Sequence, residues 1–464
     1  MKGTGPHIIK SSLYSLLQFA FPVLSLAWVS RALGPEVYGD WQWVENLCRF
    51  AVVFSALGIP WYGVKAIAQA HNEHQKTQTL AALFLIQTFA LVVLSIALYV
   101  FVWNDPRVSH LGPWPFMYIV SHGFLLEWYF QGQQQYRYLL TRASLVRLLA
   151  LIALMTLVHQ AHDAICVFPI LFFINLAFGL WNLLALWPKM KNMKGVKLAI
   201  RPHFKPLTQL AIAGFAVAAY THSEISFLGH FRDALNVSYY AVSIKILRFA
   251  LLFLGALTPV FLVQFSQKKS VLKPATALTL LYTLPVAIFV SINSPAIVEL
   301  VAGHQYLAAS PSLSLLAICL PLIGLSGMFG SQYLLSHEQT HAWLWAASIG
   351  LAVNLFLNYC LVPRWGLAGA TWTTLITEAI VCLVCYVHVA AELPARQLGK
   401  ILGQILVLLL PGLVLLIGFR FILFSPWLKL GIEALVYFGS FALLTLRSNW
   451  FGPTLRSLYE PHAV

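Results

Sequence analysis

Residues 79–103, TLAALFLIQTFALVVLSIALYVFVW, contain no charged side chain. This run exceeds the roughly 20 apolar residues that a helix needs to cross a bilayer. The rest of the chain is also strongly apolar. Of all 464 residues, 59% are hydrophobic and only 9% are charged, and the mean hydropathy is +0.78. Soluble domains carry about 25% charged residues. The composition therefore excludes a soluble, disordered or fibrous protein and predicts a membrane protein.

Apolar runs of spanning length recur along the whole chain. A window of about 20 residues predicts fourteen spanning helices and hence an all-α polytopic membrane protein. The predicted spans are residues 12–30, 41–60, 79–103, 113–130, 143–160, 164–187, 208–228, 236–264, 275–298, 312–334, 342–362, 366–390, 401–419 and 427–446. The predicted divisions are an N-terminal six-helix lobe (1–187), a basic cytoplasmic linker (188–207), a C-terminal six-helix lobe (208–390), and two extra helices with a cytoplasmic tail (391–464).

The basic residues predict an orientation. With the N-terminus inside, nineteen Lys and Arg residues fall in inner segments and five in outer segments, which predicts that both termini are cytoplasmic. The net charge of +14 therefore reflects membrane topology and does not predict nucleic-acid binding. The basic loop from Lys189 to Lys205 is interpreted as a topology anchor beside anionic lipid headgroups, in preference to a partner site. The loops leave no room for an extramembrane domain, and the absence of a phosphate-binding loop motif excludes ATP hydrolysis.

Three basic residues lie deep within predicted spans. Arg49 is about eight residues, or roughly 12 Å, into the second span. Lys245 and Arg248 reach a similar depth in the eighth span and share one helix face. A charge at this depth costs about 2.5–3.5 kcal/mol, so it normally meets a partner or a wet cavity. Glu45 precedes Arg49 by four residues, and we expect these two side chains to form an ion pair.

Two interpretations of the deep charges remain open. Glu127, Glu224 and Glu378 also lie within predicted spans. In the first interpretation these acids neutralise the bases in structural ion pairs. In the second, the bases form a cationic cavity for an anionic substrate, and one acid takes up a proton or Na⁺.

A weak internal repeat favours the cavity. Residues 47–50 (Leu-Cys-Arg-Phe) and 246–249 (Ile-Leu-Arg-Phe) share an apolar-x-Arg-Phe pattern, and each follows a Leu-Gly pair, at residues 33–34 and 228–229. Transporter repeats related by an axis along the membrane normal would place equivalent positions opposite each other. The number of spans and the basic loop midway along the chain predict a V-shaped cleft between the lobes, and the repeat predicts that Arg49 and Arg248 face each other across it.

The six cysteines all lie in apolar stretches. Cys382 and Cys385 have the C-x-x-C spacing of some redox and metal sites. Their neighbours are apolar and no second pair or set of histidines lies nearby. We therefore expect inert buried thiols, and no metal site is predicted.

Four short strings resemble segments of bacterial oligosaccharide flippases. They are Arg31 to Gly39 (RALGPEVYG), Trp128 to Gln133 (WYFQGQ), Ser238 to Ala241 (SYYA) and Asn354 to Ala370 (NLFLNYCLVPRWGLAGA). Their order and spacing along twelve spans make the set more specific than any one string. Two positions depart from the family pattern: Gln133 stands where relatives carry an acid, and Glu224 stands where they often carry Asp.

The resemblance implies a repeat-unit flippase of the Wzx type, within the multidrug/oligosaccharidyl-lipid/polysaccharide exporter superfamily and with a MATE-like fold. Such proteins move a polyprenyl-pyrophosphate-linked oligosaccharide from the cytoplasmic to the periplasmic leaflet by alternating access, for O-antigen or exopolysaccharide biosynthesis. It further implies the bacterial cytoplasmic (inner) membrane as the location. The implied partners are membrane lipids, a polysaccharide polymerase and a chain-length regulator.

The resemblance and the deep charges together predict the site. Pyrophosphate is expected to dock on Arg31, Arg49, Lys245 and Arg248, and Glu224 or Glu378 is the candidate for coupling. By this resemblance, Arg31 matches the basic residue of the family's first turn. Lys245 or Arg248 matches the basic residue that the family carries in its eighth span. The sugars would occupy a wet cleft, while the prenyl tail stays in lipid between the lobes. No bond is made or broken, so no catalytic residue is predicted, and no cofactor is expected beyond coupling to H⁺ or Na⁺.

Two alternatives come from other classes. A MATE-type cation-coupled drug exporter should carry acids in its cleft to take cationic drugs, whereas this cleft is predicted to be basic. A membrane-embedded polymerase or ligase needs a sizeable outer loop with catalytic residues, and the outer loops here are short.

Overall fold

The computed structural model describes residues 5–102, 104–191, 200–251, 254–255, 261, 265, 271–419, 426–448 and 450. Within these ranges the regular elements are helices and no strand occurs, which confirms the predicted all-α class. The α-helices are, in chain order, α1 (Gly5–Ala56), α2 (Ile59–Gln69), α3 (Glu73–Val102), α4 (Pro106–Ser109), α5 (Trp114–Ser121), α6 (Glu127–Gly132), α7 (Tyr136–Leu157), α8 (Ala164–Lys191), α9 (Arg201–Phe231), α10 (Ala234–Ala250), α11 (Leu272–Ile292), α12 (Ser294–Ala302), α13 (Ser310–Ala317), α14 (Cys319–Gly327), α15 (Thr340–Trp365), α16 (Leu367–Val389), α17 (Ala395–Phe419) and α18 (Pro426–Arg447).

Eight helices in the described residues are long and apolar enough to cross a membrane. The number rises to nine if the pair His304–Ala317 and Cys319–Leu334, bent by 46°, is one broken span. The chain is therefore a multi-pass membrane protein, while the number of fourteen spans stays a prediction. The predicted fourth and tenth spans are divided into shorter helices, and residues 252–253, 256–260 and 262–264 of the predicted eighth span lie outside the described residues.

The first predicted span and most of the second lie in α1 as two helical stretches that meet at Gly34, without a loop at residues 31–40. The helix is interrupted only at Gly34, whose backbone has φ 74° and ψ 166°. This conformation is almost restricted to glycine, because a Cβ atom would collide with the neighbouring backbone. Pro35 follows and suits the first turn of the next helical stretch, because it has no N–H to leave unpaired. The family-like string that begins at Arg31 thus specifies a helix break.

We expect Gly34→Ala to lower the free energy of unfolding by about 1–3 kcal/mol, because alanine is strained in this backbone region. The matched control is Gly399→Ala in α17, where an added Cβ would meet nothing within 4 Å. That change should be neutral or slightly stabilising, since alanine favours helix over glycine. Thermal melting of both purified variants in detergent tests the difference. Equal melting temperatures would show that the break does not depend on glycine.

Two other predicted spans are broken within their length. In the fourth span, α5 gives way to a 3₁₀ turn at His122–Phe124, and α6 begins after Leu126, which has a left-handed φ of 45°. In the tenth span, α13 and α14 run into a π-helical turn at Met328–Leu334. Such π turns are frequent at functional sites of helical proteins.

The chain forms two compact units. Unit 1 consists of Met1–Ala241 and Leu355–Leu367, and unit 2 of Val242–Asn354 and Ala368–Val464. Their boundaries differ from the predicted lobes, whose division stays a prediction. Of the predicted linker, residues 192–199 lie outside the described residues, as do residues 451–464 of the predicted tail.

Each unit has its own apolar core. In unit 1, α2, α3, α6, α7 and α8 surround buried residues such as Trp128, Leu139 and Phe178. In unit 2, the last two helices contribute Leu409 and Tyr437 to the core formed with α11 and α16. Helices α17 and α18 are thus integral to the packing of unit 2.

Candidate functional site

The predicted ion pair of α1 is present. Arg49 donates from Nε and Nη2 to Oε1 of Glu45, at 3.0 and 2.6 Å, and Gln42 Nε2 donates to Oε2 of Glu45 at 3.1 Å. The Glu45 side chain is 5% exposed, whereas the Arg49 side chain is 44% exposed. A guanidinium has five N–H donors in a planar fork. The buried carboxylate therefore fixes one side of the guanidinium, and the accessible remainder can donate to an anion.

The helix that carries Arg49 packs against α9 through a polar seam. Asn46 Nδ2 donates to the carbonyl oxygen of His222 at 3.0 Å and to Ser226 Oγ at 2.9 Å. Ser223 accepts a hydrogen bond from Asn358 Nδ2 at 3.1 Å, from the part of α15 that belongs to unit 1. Glu224 lies on this stretch of α9 and is 2% exposed. The structure thus places the coupling candidate Glu224 in a buried polar stretch of the helix that packs on α1.

The remaining candidates are divided between the two units. Arg31 is exposed and lies three residues before the break in α1, in unit 1. Lys245 and Arg248 are half-buried on α10, in the part assigned to unit 2. Glu378 is 8% exposed on α16, also in unit 2. The structure therefore brings Arg31, Arg49 and Glu224 into one unit, and the facing of Arg49 and Arg248 stays a prediction.

Arg142 forms a buried ion pair that the sequence did not predict. It lies in α7, which begins seven residues before the predicted fifth span, and its side chain is fully buried. Its Nη2 lies 2.9 Å from Oε1 of Glu127 and its Nη1 2.6 Å from Oδ1 of Asn182. The guanidinium also lies 4.7 Å from the ring centre of Phe178. Glu127 thus serves a structural ion pair, as the first interpretation of the deep acids expects.

Another ion pair in unit 1, between Arg107 and Asp105, was not predicted. Arg107 Nη2 lies 2.7 Å from Asp105 Oδ2, and its guanidinium stacks on the ring of Trp43 at 3.7 Å. Arg107 Nη1 also donates to the carbonyl oxygen of Gly229 at 2.8 Å. The hydrogen bonds from Arg107 hold the pKa of Asp105 below its usual value, so the pair is charged at neutral pH. Arg107 therefore links the segment after α3 to both α1 and α9.

The two glycines of the proposed repeat have different roles. Gly34 breaks α1, whereas Gly229 lies within α9, and a Cβ there would come 1.9 Å from Cδ1 of Trp43. Helix α9 ends just before Arg232, which lies three residues after Gly229 and has an extended backbone. The Arg232 side chain donates to the carbonyl oxygens of Val362 and Pro363. The repeat therefore differs in local structure at its glycines.

The family-like strings mostly specify close packing. In the first string, a Cβ on Gly39 would come 1.9 Å from the carbonyl oxygen of Ala234. In the second string, Trp128 is buried and packs on Gly63, where a Cβ would come 2.5 Å from the indole ring. In the last string, Gly366 has a left-handed φ of 53°. These residues position the helices that carry the charged candidates.

The six cysteines are free thiols. Cys382 and Cys385 are buried in the apolar core of unit 2, which agrees with the expectation of structural thiols. Among the described residues, no group of three or more His, Cys, Asp or Glu side chains is arranged to hold a metal ion.

Comparison with protein families gives one match in the N-terminal half. Residues 7–225 match a family model described as "Polysaccharide biosynthesis protein". Comparison with curated protein sequences gives no match.

Solved structures with the same fold cover most of the chain. A structure titled "Lipid II flippase MurJ, inward closed conformation" is 17% identical, with a TM-score of 0.68, over 97% of this chain and 100% of that chain. An inward-facing multidrug resistance MATE family transporter of the MOP superfamily is 14% identical, with a TM-score of 0.61, over 85% of this chain and 99% of that chain. An outward-facing MATE transporter is 13% identical, with a TM-score of 0.59, over 85% and 96% of the two chains. Over residues 7–225 the chain matches the polysaccharide biosynthesis protein family, and over nearly its whole length it has the fold shared by MurJ and the MATE transporters, which confirms the resemblance seen in its sequence.

Proposed function

We propose that this protein is a flippase that moves polyprenyl-pyrophosphate-linked oligosaccharide repeat units from the cytoplasmic to the periplasmic leaflet of the bacterial inner membrane. The moved units would serve O-antigen or exopolysaccharide biosynthesis, and both termini would be cytoplasmic. The accessible guanidinium of Arg49, held by buried Glu45 within an apolar helix, is the observation that carries the proposal. The family match and the shared fold with a lipid II flippase support it.

In this proposal the pyrophosphate head meets basic residues and the reaction makes or breaks no bond. Guanidinium groups bind phosphate oxygens through two parallel hydrogen bonds and are weakly hydrated, so they suit a partly desolvated cavity. Glu45 holds the guanidinium of Arg49 in one orientation before the substrate arrives. Arg31, Lys245 and Arg248 add positive charge, and alternating access carries the head across.

Coupling is assigned to a buried acid. Glu224 and Glu378 are 2% and 8% exposed, and a carboxylate in such surroundings is costly unless it is protonated or meets a cation. Uptake and release of H⁺ or Na⁺ at one of them would bias the two access states. No resident cofactor is needed, and the proposed partners are a polysaccharide polymerase and a chain-length regulator, which would use the delivered units.

A MATE-type drug exporter is the second candidate, because the fold is shared with MATE transporters and two acids are buried. An exporter of cationic drugs would leave lipid-linked sugars where they are made. A flippase would leave drug resistance unchanged.

Deletion of the gene in its own host tests the proposal. We expect lipid-linked repeat units to accumulate in the cytoplasmic leaflet, where an impermeant oxidant of sugars reaches them only after cell rupture. Expression of the wild-type chain should return them to the outer leaflet. Normal surface polysaccharide in the deletion strain, together with new sensitivity to cationic drugs, would favour the exporter instead.

A further inference from the structure

An apolar cavity of about 500 Å³ opens where α1 ends and α2 begins. The helix is interrupted there by Leu57 and Gly58, which have φ of 47° and 75°. The lining residues are Val52, Val53, Phe54, Ala56, Leu57, Gly58, Pro60, Ala211, Gly214 and Phe215, all of which belong to unit 1. The volume lies within the range of about 300–1,000 Å³ that is typical of ligand pockets.

The lining suits a hydrocarbon chain. Among the described residues, no lining side chain carries a polar group, and small residues on α9, Ala211 and Gly214, leave room opposite α1. One wall is a contact between the rings of Phe54 and Phe215, whose centres are 4.3 Å apart. Apolar cavities of this kind exclude water and accept apolar ligands. In a bilayer the available apolar ligand is a lipid chain.

Two lining residues of the cavity lie one helical turn after the accessible cation of α1. Val52 and Val53 follow Arg49 by three and four residues, so all three side chains lie on one helix face. Arg49 precedes the predicted inner end of this span by about 11 residues, or roughly 16 Å. The phosphate of a phospholipid in the inner leaflet would lie near that end and well short of Arg49. A lipid whose anionic head reaches Arg49 would instead leave its chain in the cavity, at the depth of the inner leaflet.

We propose that this cavity holds the first isoprenoid units of the substrate's prenyl chain while the pyrophosphate is bound at Arg49. The proposal rests on the proposed function and makes it more specific. It differs from the expectation that the whole tail stays in lipid, because the segment next to the head would be bound by protein. The outer part of the tail remains in the membrane.

Photo-crosslinking of the unaltered full-length protein in nanodiscs tests this assignment. The probe is a polyprenyl pyrophosphate with a diazirine in its second isoprenoid unit, and the control probe is a phosphatidylglycerol with a diazirine in one acyl chain. We expect the prenyl probe to label peptides that contain residues 52–60 and 211–215, and excess unlabelled phospholipid to leave this labelling unchanged. Equal labelling by the phospholipid probe would identify an ordinary lipid site and overturn the proposal.

Variants that fill the cavity give a second measurement. Val53→Trp and Ala211→Trp should each weaken binding of the prenyl probe at least tenfold. The matched control is Val93→Trp on α3, where the valine is 46% exposed and outside the cavity. If binding of the prenyl probe depends on Arg49 but the probe labels other segments of the chain, the cavity assignment alone is overturned. Absence of any binding that depends on Arg49 would count against the proposed function as well.

Discussion

Replacing both members of the α1 ion pair, Glu45→Gln with Arg49→Gln, is expected to abolish surface polysaccharide while the protein stays inserted and abundant. The double change removes the accessible cation without leaving the buried carboxylate of Glu45 unpaired. Two charge-assisted hydrogen bonds to pyrophosphate contribute about 3 kcal/mol together, which corresponds to about 100-fold in transport rate. The rate of repeat-unit export in a complemented deletion strain measures the effect.

Three further variants separate charge from geometry. Arg49→Lys keeps the charge but loses the planar fork, so we expect partial activity. Arg137→Ala, at an exposed arginine of the same unit, should leave export unchanged. Arg248→Ala should resemble the loss of Arg49 if both cations meet one substrate. Normal export in a chain that lacks both arginines would reject the cationic site and favour a purely structural ion pair.

Replacing Arg142 with methionine is expected to lower the free energy of unfolding by about 3 kcal/mol. The change leaves Glu127 and Asn182 without the guanidinium that pairs with both, and breaking a buried pair from one side costs about 3–5 kcal/mol. The lower end of that range applies because the Glu127 side chain is 24% exposed. Unfolding of the purified protein in detergent, followed by tryptophan fluorescence, measures the loss.

The control for Arg142 lies five residues earlier on the same helix. Arg137 is exposed, so Arg137→Met should change stability by less than about 0.5 kcal/mol. Adding Glu127→Gln to Arg142→Met should recover part of the loss, because no buried charge then lacks a partner. Purely additive losses in the two single variants and the double variant would show that the pair is not energetically coupled.

Local spacing made the α1 pair predictable. Glu45 and Arg49 are four residues apart, so helix formation by itself brings their side chains together. Arg142 pairs with Glu127 across a break between helices and with Asn182 from another helix, 40 residues further on. No pattern in the sequence fixes these distances, because they depend on how three helices pack. The stack of Arg107 on Trp43 was missed for the same reason.

Helix breaks were predictable only where the residue type requires them. Gly34 has a backbone that other residues avoid, and the sequence indicated a turn at that place. The break in the fourth predicted span falls at Leu126, a residue type that rarely adopts a left-handed backbone. Tertiary packing imposes that conformation. A hydropathy window therefore does not detect the break and predicts one continuous span. The apolar cavity at Gly58 was also missed, because cavities depend on which helix faces meet.

Direct measurement of lipid translocation tests the central claim. Purified protein is reconstituted in vesicles that contain a polyprenyl-pyrophosphate-linked oligosaccharide isolated from the host, and an impermeant glycosidase reports the fraction in the outer leaflet. We predict that the protected half becomes accessible at least 100-fold faster with the wild-type protein than with the Glu45→Gln, Arg49→Gln variant or without protein. Equal rates for the wild-type protein and for protein-free vesicles, under an imposed H⁺ or Na⁺ gradient of either direction, would contradict the account.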